Sequence, residues 1–544
     1  MRTRGANDSL RATADDHRAS VNAKRLARFA IEASLFVFFA SLCLVVRSTK
    51  KEEVFSPKGV TFVDPDCYTR MARVQRLAEN PLKPVKWHDF ENYPIGIRAH
   101  TTSLFDYIAL GLTAALRPFS TRPLDLAGVW ISPMLGLALL AFLWWWCGLH
   151  LKNTARYFTL LAYAILPTMA WGQNIGRPDH QSLILLLLTV AIGLEVNLIT
   201  TPDRRPVQIA GGMAWGLALW TSLFEPLVLL LATLVIQTAM DWRGVLTRRP
   251  FWWLGLLAVC AIGFAIDGWA KPEIDPQTLP YLSRWFREIG ELAHTGPLRF
   301  TFWFGGWIWA LPIILFVGCR LYKPQGRPLI LLASLTVLLT ALSFWHMRWG
   351  SLLAAACCLF TVPFLMGLPG RFWQPVVWFF LFVPVFVYYV HAFDVSNRRA
   401  AYSDADLRLI ARAIGSEGGV LAPWWISPPL LYFSGAPIVA SSSHESIAGN
   451  IDAARFFADP DWRNCREILD RCKVRWVVTD HPGRVLSQAI RLLGMGRHTE
   501  EEAMRIRGLE ETLAYRLHGA KAVPPMLKLR AASGDFFLYE YIPD

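Results

Sequence analysis

The chain has 544 residues, of which 53% are hydrophobic, and it contains 24 Trp and 33 Phe. Its mean hydropathy is +0.31. The apolar residues form blocks of about 17–25 residues, the length that a helix needs to cross the hydrocarbon of a membrane, which excludes an ordinary soluble globular protein. The net charge of +13 fits basic loops at an anionic membrane surface better than a nucleic-acid partner, so no nucleic acid is expected.

A basic leader, residues 1–27, precedes the first apolar block at 28–46. No small-residue cleavage site follows this block, so we expect it to stay in the membrane as an anchor. Because positively charged flanking segments tend to remain in the cytoplasm, the leader is predicted to place the N-terminus there.

About eleven spanning helices are predicted, within a transmembrane domain of residues 28–394. Their approximate positions are 28–46, 124–148, 155–173, 181–200, 207–223, 225–241, 251–270, 299–319, 327–345, 349–367 and 373–392. A shorter apolar stretch at 102–117 is expected to be interfacial or re-entrant. Alternating from the N-terminus makes every predicted cytoplasmic loop short and basic, which supports the count because one missed helix would reverse every later loop.

The composition changes after the last span, and residues 395–544 are predicted to form a small α/β domain outside the cytoplasm. The expected elements are helices at Asp404–Ile414 and Ala453–Leu469 and strands at Val420–Leu421, Ile438–Ala440 and Trp476–Thr479. The predicted fold class is therefore mostly α, with a polytopic helical membrane domain followed by a small extracytoplasmic α/β domain.

Two acidic residues stand near the start of the first outside loop, in Asp64-Pro65-Asp66-Cys67-Tyr68-Thr69-Arg70. Carboxylates one residue apart can hold one hard divalent cation between them. The alternative is a proline turn whose acids are simply solvated.

The next outside loop ends in Gly176-Arg177-Pro178-Asp179-His180-Gln181. Asp179 could face the same aqueous cavity as a further metal carboxylate, or it could be the N-cap of the following membrane helix.

The later outside loops add a further acid and an arginine. Glu291 follows an amphipathic segment, where it could complete a metal shell or lie on a solvated face. Arg348 lies between two apolar blocks, and an arginine at that depth usually pairs or faces a cavity. Its bidentate geometry suits the phosphate of a lipid carrier, although a snorkelling arginine remains the alternative.

All of these residues are predicted on one face of the membrane, by a topology derived without them. Their shared chemistry would be a metal-assisted displacement, in which a cation stabilises a leaving phosphate while carboxylates orient the nucleophile.

The order of these motifs resembles that of the catalytic subunit of oligosaccharyltransferase, within the membrane glycosyltransferases of the C-type fold. The family has an Asp-Pro-containing motif after the first helix, a Gly-x-x-Asp motif at the fourth, a Thr/Ser-(Ile/Val)-x-Glu motif in a later outside loop and a Trp-Trp-Asp motif after a C-terminal strand. The similar segments here are Asp64–Arg70, Gly176–His180, Glu288–Glu291 and Val420–Ile426.

The resemblance implies a glycan donor linked to a polyprenyl phosphate or pyrophosphate, a protein or glycan acceptor, and Mn²⁺ or Mg²⁺ as cofactor. It implies an integral protein of a bacterial or archaeal cell membrane. The implied metal ligands are Asp64, Asp66, Asp179, Gln181 and Glu291. The implied catalytic residues are Asp64, Asp66 and Glu291. His180 and Arg348 would bind the donor phosphate, and Trp424 and Trp425 the acceptor.

Four features depart from the family pattern. Ile426 stands where the family has the Asp that reads the hydroxyl of an Asn-x-Ser/Thr acceptor, and an isoleucine accepts no hydrogen bond. Gln181 replaces a metal-ligating acid or histidine, and Glu288 the Thr/Ser of the third motif. About eleven helices are counted, where the family has thirteen.

Three other functions remain open. One is a metal-independent C-type glycosyltransferase, in which a first-loop Asp acts as general base on a lipid or polysaccharide hydroxyl. Another is a transporter of lipid-linked sugars, although no internal repeat is visible. The third is a donor-binding homologue without activity. The run Ser441-Ser442-Ser443-His444-Glu445 is expected to be a loop facing the cavity rather than a hydrolase triad.

Overall fold

The computed structural model describes residues 4–57, 59–268, 273–304, 306–310, 326–359, 382–383, 385–390, 403–415 and 417–543. Within these ranges six helices are long and apolar enough to cross a membrane. They are Asn22–Arg47, Pro123–His150, Gln181–Thr200, Phe224–Val245, Pro250–Asp267 and Gly326–Trp345. Shorter helices at Asn153–Ile165, Arg205–Thr221, Pro297–Phe304 and Gly350–Leu359 cover other predicted spans. The predicted spans 299–319, 349–367 and 373–392 lie partly outside the described residues.

One predicted span is broken. The stretch 155–173 was expected to be continuous, but it forms two helices, Asn153–Ile165 and Pro167–Trp171. Leu166 precedes a proline and has extended backbone angles, φ −62° and ψ 125°, because the proline ring disfavours helical geometry at the residue before it. The chain therefore turns here, just before the loop that carries Asp179.

The helices pack around a buried core of Leu, Ala and aromatic side chains. The charged groups buried among these helices have partners, as the low-dielectric interior of a membrane protein favours. Glu195, for example, accepts hydrogen bonds from Arg249 at 2.9 Å, from Gln237 at 2.8 Å and from the indole of Trp252 at 2.7 Å.

Two further helices lie between the first two long spans. Pro65–Glu79 is capped by Asp64, and Leu104–Leu116 corresponds to the short apolar stretch predicted at 102–117. Arg70 and Arg73 of the first helix pair with Asp106 of the second, at 3.2 and 2.7 Å. These buried ion pairs fix the first acidic motif against the helical bundle.

The C-terminal part contains a four-stranded sheet flanked by helices. The strands lie in the order Gly419–Leu421, Val474–Thr479, Phe536–Tyr541 and Leu527–Ser533. The first pair is parallel and the other two pairs are antiparallel. The flanking helices are Ser403–Ala411, Ser427–Ser434, Ile447–Ala458, Trp462–Arg471 and Pro482–Leu493. The predicted fold class is confirmed.

Two expectations for this part were wrong. The helix predicted at Ala453–Leu469 is two helices, because Asp459 precedes Pro460 and has extended backbone angles, with ψ 132°. The strand predicted at Ile438–Ala440 is reduced to a single bridge between Ile438 and Val420. The two strands at the C-terminal end were not foreseen.

Candidate active site

A cavity of about 400 Å³ lies where the loops of the helical part meet the C-terminal part. It is the point at which the separate sequence motifs converge. Eight of the nine residues predicted for the site line it: Asp64, Asp66, Asp179, His180, Gln181, Glu291, Arg348 and Trp424. Trp425 does not.

The first motif forms the start of a helix. Asp64 is the N-cap of Pro65–Glu79, and its Oδ1 accepts a hydrogen bond from the backbone N–H of Asp66 at 3.0 Å. Proline in the first turn suits this position because it has no N–H to leave unpaired. The proline turn and a role in the site are therefore compatible, because Asp64 is held as the helix cap while Asp66 lines the cavity.

The second motif is tied together by its own side chains. Asp179 Oδ1 lies 2.7 Å from His180 Nδ1 and accepts from the backbone N–H of Gln181 at 3.4 Å. His180 also contacts Arg70 at 3.1 Å. Burial alone would raise the pKa of Asp179, but His180, Arg177 and Arg70 hold it well below its usual range. Asp179 is therefore a carboxylate at neutral pH.

Arg177 and Gln181 link the acids of three loops. The same guanidinium nitrogen of Arg177 lies 3.5 Å from Asp64 and 3.4 Å from Glu291. The amide of Gln181 donates to Glu291 at 2.8 Å. Arg177 is almost fully buried and stacks on Trp171, with 3.6 Å between the guanidinium carbon and the ring centroid. Asp64, Asp179 and Glu291 thus share neighbours within one cluster.

The surroundings of Asp66 and Glu291 disfavour the charged forms of these two acids. The Asp66 carboxylate faces the water of the cavity, yet protein surrounds it, so desolvation raises its pKa and the charge of Asp64 raises it further. Burial and the charge of Asp179 also raise the pKa of Glu291, although Arg177 opposes them. Both acids would be stabilised by an added cation.

The acids as folded do not already form a metal shell. In the described portion of the chain, no three His, Cys, Asp or Glu side chains stand close enough together to hold an ion. Arg177 stands between Asp64 and Glu291, and Gln181 contacts Glu291 with its amide nitrogen rather than its oxygen.

Arg348 brings positive charge to the cavity from the turn after Gly326–Trp345. Its Nε forms an ion pair with Glu225, which is buried. The turn is joined to the loop of Glu291, because His346 lies 2.6 Å from the carbonyl of Leu292 and the N–H of Met347 donates to Ala293 at 3.2 Å. The guanidinium is thereby fixed on the cavity wall.

The two tryptophans of the C-terminal motif point to different places. Trp424 lines the cavity and meets Trp285 edge-on, with ring centroids 5.9 Å apart. Trp425, which was predicted to bind the acceptor with Trp424, instead donates from its indole to Asp480 at 3.1 Å and does not line the cavity. Ile426 is 3% exposed and packs in the core, so no acceptor group replaces the family's aspartate there.

No family model matches the chain. A curated relative is dolichyl-phosphooligosaccharide-protein glycotransferase 1 of Archaeoglobus fulgidus, 27% identical over 152 residues, which cover 27% of this chain. The match spans about a quarter of the relative's length, 24%.

Solved structures match over far more of the chain. Archaeal oligosaccharyltransferase AglB from Archaeoglobus fulgidus, in complex with an inhibitory peptide and a dolichol-phosphate, aligns with a TM-score of 0.69 at 12% identity, over 92% of this chain and 79% of that one. The chain has the fold of an oligosaccharyltransferase catalytic subunit. ArnT from Cupriavidus metallidurans, bound to undecaprenyl phosphate, aligns with a TM-score of 0.55 at 12% identity, over 92% and 97% of the two chains.

Within this oligosaccharyltransferase fold, several cavity residues were not assigned a role from the sequence. They are Arg70, Arg73, His88, His100, Trp285 and Arg299. Arg70 lies one helical turn after Asp66, a spacing that could have signalled a shared face. The run Ser441–Glu445 was expected to face the cavity, and its last four residues line the cavity whereas Ser441 does not.

Proposed function

We propose that the chain is a membrane glycosyltransferase that moves a glycan from a polyprenyl-phosphate or pyrophosphate-linked donor to an acceptor. The observation that carries this proposal is the convergence of Asp64, Asp66, Asp179, Glu291 and Arg348 on one cavity. The fold supports it, because structures with the same fold are described with dolichol-phosphate and with undecaprenyl phosphate. The membrane-crossing helices beside the cavity would give a polyprenyl chain an apolar place to lie.

The donor phosphate is assigned to the positively charged side chains. Arg348 would contact phosphate oxygens through its planar guanidinium, and His180, held by Asp179 and Arg70, would add a second contact. In the transfer step the acceptor nucleophile bonds to the anomeric carbon as the bond from that carbon to the phosphate oxygen breaks. A first-loop carboxylate, Asp64 or Asp66, would take the proton that the nucleophile loses.

Mn²⁺ or Mg²⁺ is the proposed cofactor. Asp64, Asp66, Asp179 and Glu291 would hold it, with the side-chain oxygen of Gln181, because such ions prefer oxygen ligands. Bound there, the cation would neutralise charge that develops on the leaving phosphate. Two observations favour the fit: the acids share one cavity, and the pKa values of Asp66 and Glu291 are raised, so a cation would stabilise their charged forms. The Archaeoglobus protein has also been solved with zinc and sulfate. For the ion to enter, Arg177 must withdraw from between Asp64 and Glu291.

A second candidate is the metal-independent C-type reaction on a hydroxyl acceptor. Arg177 favours it, because its guanidinium already supplies positive charge between Asp64 and Glu291. Ile426 favours it too, since the position that would read an Asn-x-Ser/Thr acceptor is apolar and buried.

Two experiments test the proposal. Mass spectrometry of glycoproteins, glycolipids and polysaccharides from cells with and without the gene should show the loss of one glycan series, and its linkage would fix the acceptor class. Purified protein in nanodiscs should then transfer that glycan, and Asp179→Asn and Glu291→Gln should abolish transfer. Loss of activity in EDTA, reversed by Mn²⁺, favours the first candidate; activity that survives EDTA favours the second. Unchanged glycans in both cell types would contradict the proposal.

The orientation in the membrane is also a proposal. We infer that the leader is cytoplasmic and that the cavity and the C-terminal part face outward, because each predicted inside loop is basic. Reporter fusions after residue 27 and at residue 543 should report opposite sides.

A further inference from the structure

One wall of the cavity has buried polar atoms that nothing in the described chain satisfies. This wall, termed the histidine wall, consists of His88, Trp285, His444 and Glu445, and all four residues line the cavity. Among the described residues, His88 Nε2, Trp285 Nε1, His444 Nδ1 and Glu445 Oε2 are buried and have no hydrogen-bond partner. His88, Trp285 and Glu445 are 2%, 3% and 6% exposed. A buried polar group without a partner is unfavourable, so four such atoms on side chains that line one cavity indicate a ligand.

The wall is held rigidly. Glu445 accepts at its other oxygen, Oε1, from the backbone and ring nitrogens of His100, at 3.0 and 2.6 Å. The imidazoles of His100 and His444 stack with centroids 5.6 Å apart and planes 2° from parallel. Glu91 accepts hydrogen bonds from Ser441 and Ser443 and contacts His88. The unpaired atoms therefore cannot readily turn to find one another.

The mixture of free groups identifies the ligand class. The indole N–H only donates, the carboxylate oxygen only accepts, and a neutral imidazole does either. Several hydroxyls on one small ring, each both donor and acceptor, match this mixture. Glu445 disfavours a phosphate or another anion. The Trp424 ring, edge-on to Trp285, offers an apolar surface for ring C–H groups.

We propose that the histidine wall is a binding subsite for a neutral sugar ring. The inference rests on the proposed function and extends it, because neither the motifs nor the phosphate-binding side chains involve these four residues. The ring could belong to the glycan of the donor or to a saccharide acceptor, and both sources offer the same hydroxyl chemistry to Glu445 and Trp285.

Binding without turnover tests the subsite. The full chain in nanodiscs is titrated with free N-acetylglucosamine, N-acetylgalactosamine, glucose and mannose, followed by saturation-transfer NMR. Glu445→Gln removes the carboxylate charge and keeps the shape of the side chain, and Trp285→Phe removes the N–H donor and keeps an aromatic ring. We expect each to weaken binding of the preferred sugar about tenfold, the loss of one hydrogen bond. Glu467→Gln and Trp476→Phe, which change residues outside the cavity, should bind as the wild type does.

Lipid probes identify the source of the ring. The same variants are titrated with undecaprenyl phosphate and with undecaprenyl-pyrophosphate-N-acetylglucosamine. If the donor's glycan fills the subsite, Glu445→Gln weakens binding of the glycosylated lipid and not of the bare lipid. If an acceptor fills it, free saccharide binding weakens and both lipids bind as before. Either result supports the inference.

The inference is wrong if the wild type binds no saccharide, free or lipid-linked, or if the wild type and both variants bind saccharides equally well. It is also wrong if the wild type binds an Asn-containing peptide and the Glu445 and Trp285 variants lose that binding. If the protein binds sugar through the histidine wall but transfers no glycan, the subsite is supported and the proposed glycosyltransferase function is wrong.

Discussion

Gln181 donates a hydrogen bond from its side-chain amide to Glu291, 2.8 Å away, across two loops that are 110 positions apart in sequence. Gln181 stands at the position where the resemblance in sequence led us to expect a metal-ligating acid or histidine. It holds Glu291 toward the cavity and toward Arg177. The substitution therefore preserves the position of the acid while it changes what the site offers a cation.

Removing this contact should reduce transfer without unfolding the protein. We expect Gln181→Ala to lower the transfer rate about 10–100-fold, the usual cost of losing a group that orients a metal ligand. Gln181→Glu adds an ionised ligand and should lower the Mn²⁺ concentration that gives half-maximal transfer. An unchanged Mn²⁺ requirement in Gln181→Glu would count against a metal at this position.

Arg177 should stabilise the protein only when no divalent ion is present. Arg177→Met leaves Asp64 and Glu291 without the charge between them, so the free energy of unfolding should fall by about 2–3 kcal/mol in EDTA. Mn²⁺ should restore it, because the ion can replace the guanidinium. Arg177→Lys is the control: it keeps the charge on a side chain that lacks the forked geometry. Equal loss with and without Mn²⁺ would contradict the metal proposal and leave the second candidate.

The grouping of the acids could be predicted from the sequence because it depends only on the order of apolar blocks and loops along the chain. Apolar blocks of spanning length and basic loops assign every loop to a side, and Asp64, Asp179 and Glu291 fall on the same side. Their meeting within one cavity then needs only that neighbouring helices pack. The fold class followed from the same blocks and from the change of composition after the last span.

Features that depend on side-chain direction could not be predicted. Trp424 and Trp425 are adjacent, yet one faces the cavity and the other bonds to Asp480, since a turn points neighbours in different directions. Arg177 was visible in its motif, but its reach to two other loops is a tertiary property. The sequence does carry a signal for the helix breaks before Pro167 and Pro460, because a residue before proline disfavours helical geometry. The apolar pattern continues across both prolines, however, and led to the prediction of continuous helices.

Arg348 should affect donor binding more than it affects stability. Replacing Arg348 alone would leave the buried carboxylate of Glu225, which is 3% exposed, without its ion-pair partner. The informative variant is therefore Arg348→Gln combined with Glu225→Gln. We expect its KM for the lipid-linked donor to rise about tenfold or more, the value of a charge-assisted contact to phosphate, with a smaller change in kcat. Arg327→Ala is a matched control at the start of the helix Gly326–Trp345 that precedes the turn of Arg348, where Arg327 pairs with Asp241 at 3.1 Å on the surface. A donor KM unchanged in the double variant would remove Arg348 from the phosphate site.

The histidine wall should make the fold sensitive to mild acid. Burial and the charge of His100 lower the pKa of His444 from 6.5 to about 4, although Glu445 opposes them and Arg348 adds to them. Between pH 6.5 and about 4, His444 is therefore protonated in the unfolded chain and neutral in the folded chain. Stability is complete above that pH and should fall, on the order of 2 kcal/mol, as the pH drops toward 4. The unfolding temperature measured against pH should show this decline in the wild type and a flatter curve in His444→Gln. A wild-type protein that becomes more stable on acidification would mean that Glu445 holds His444 protonated, and the neutral imidazole assigned to the wall would then be wrong.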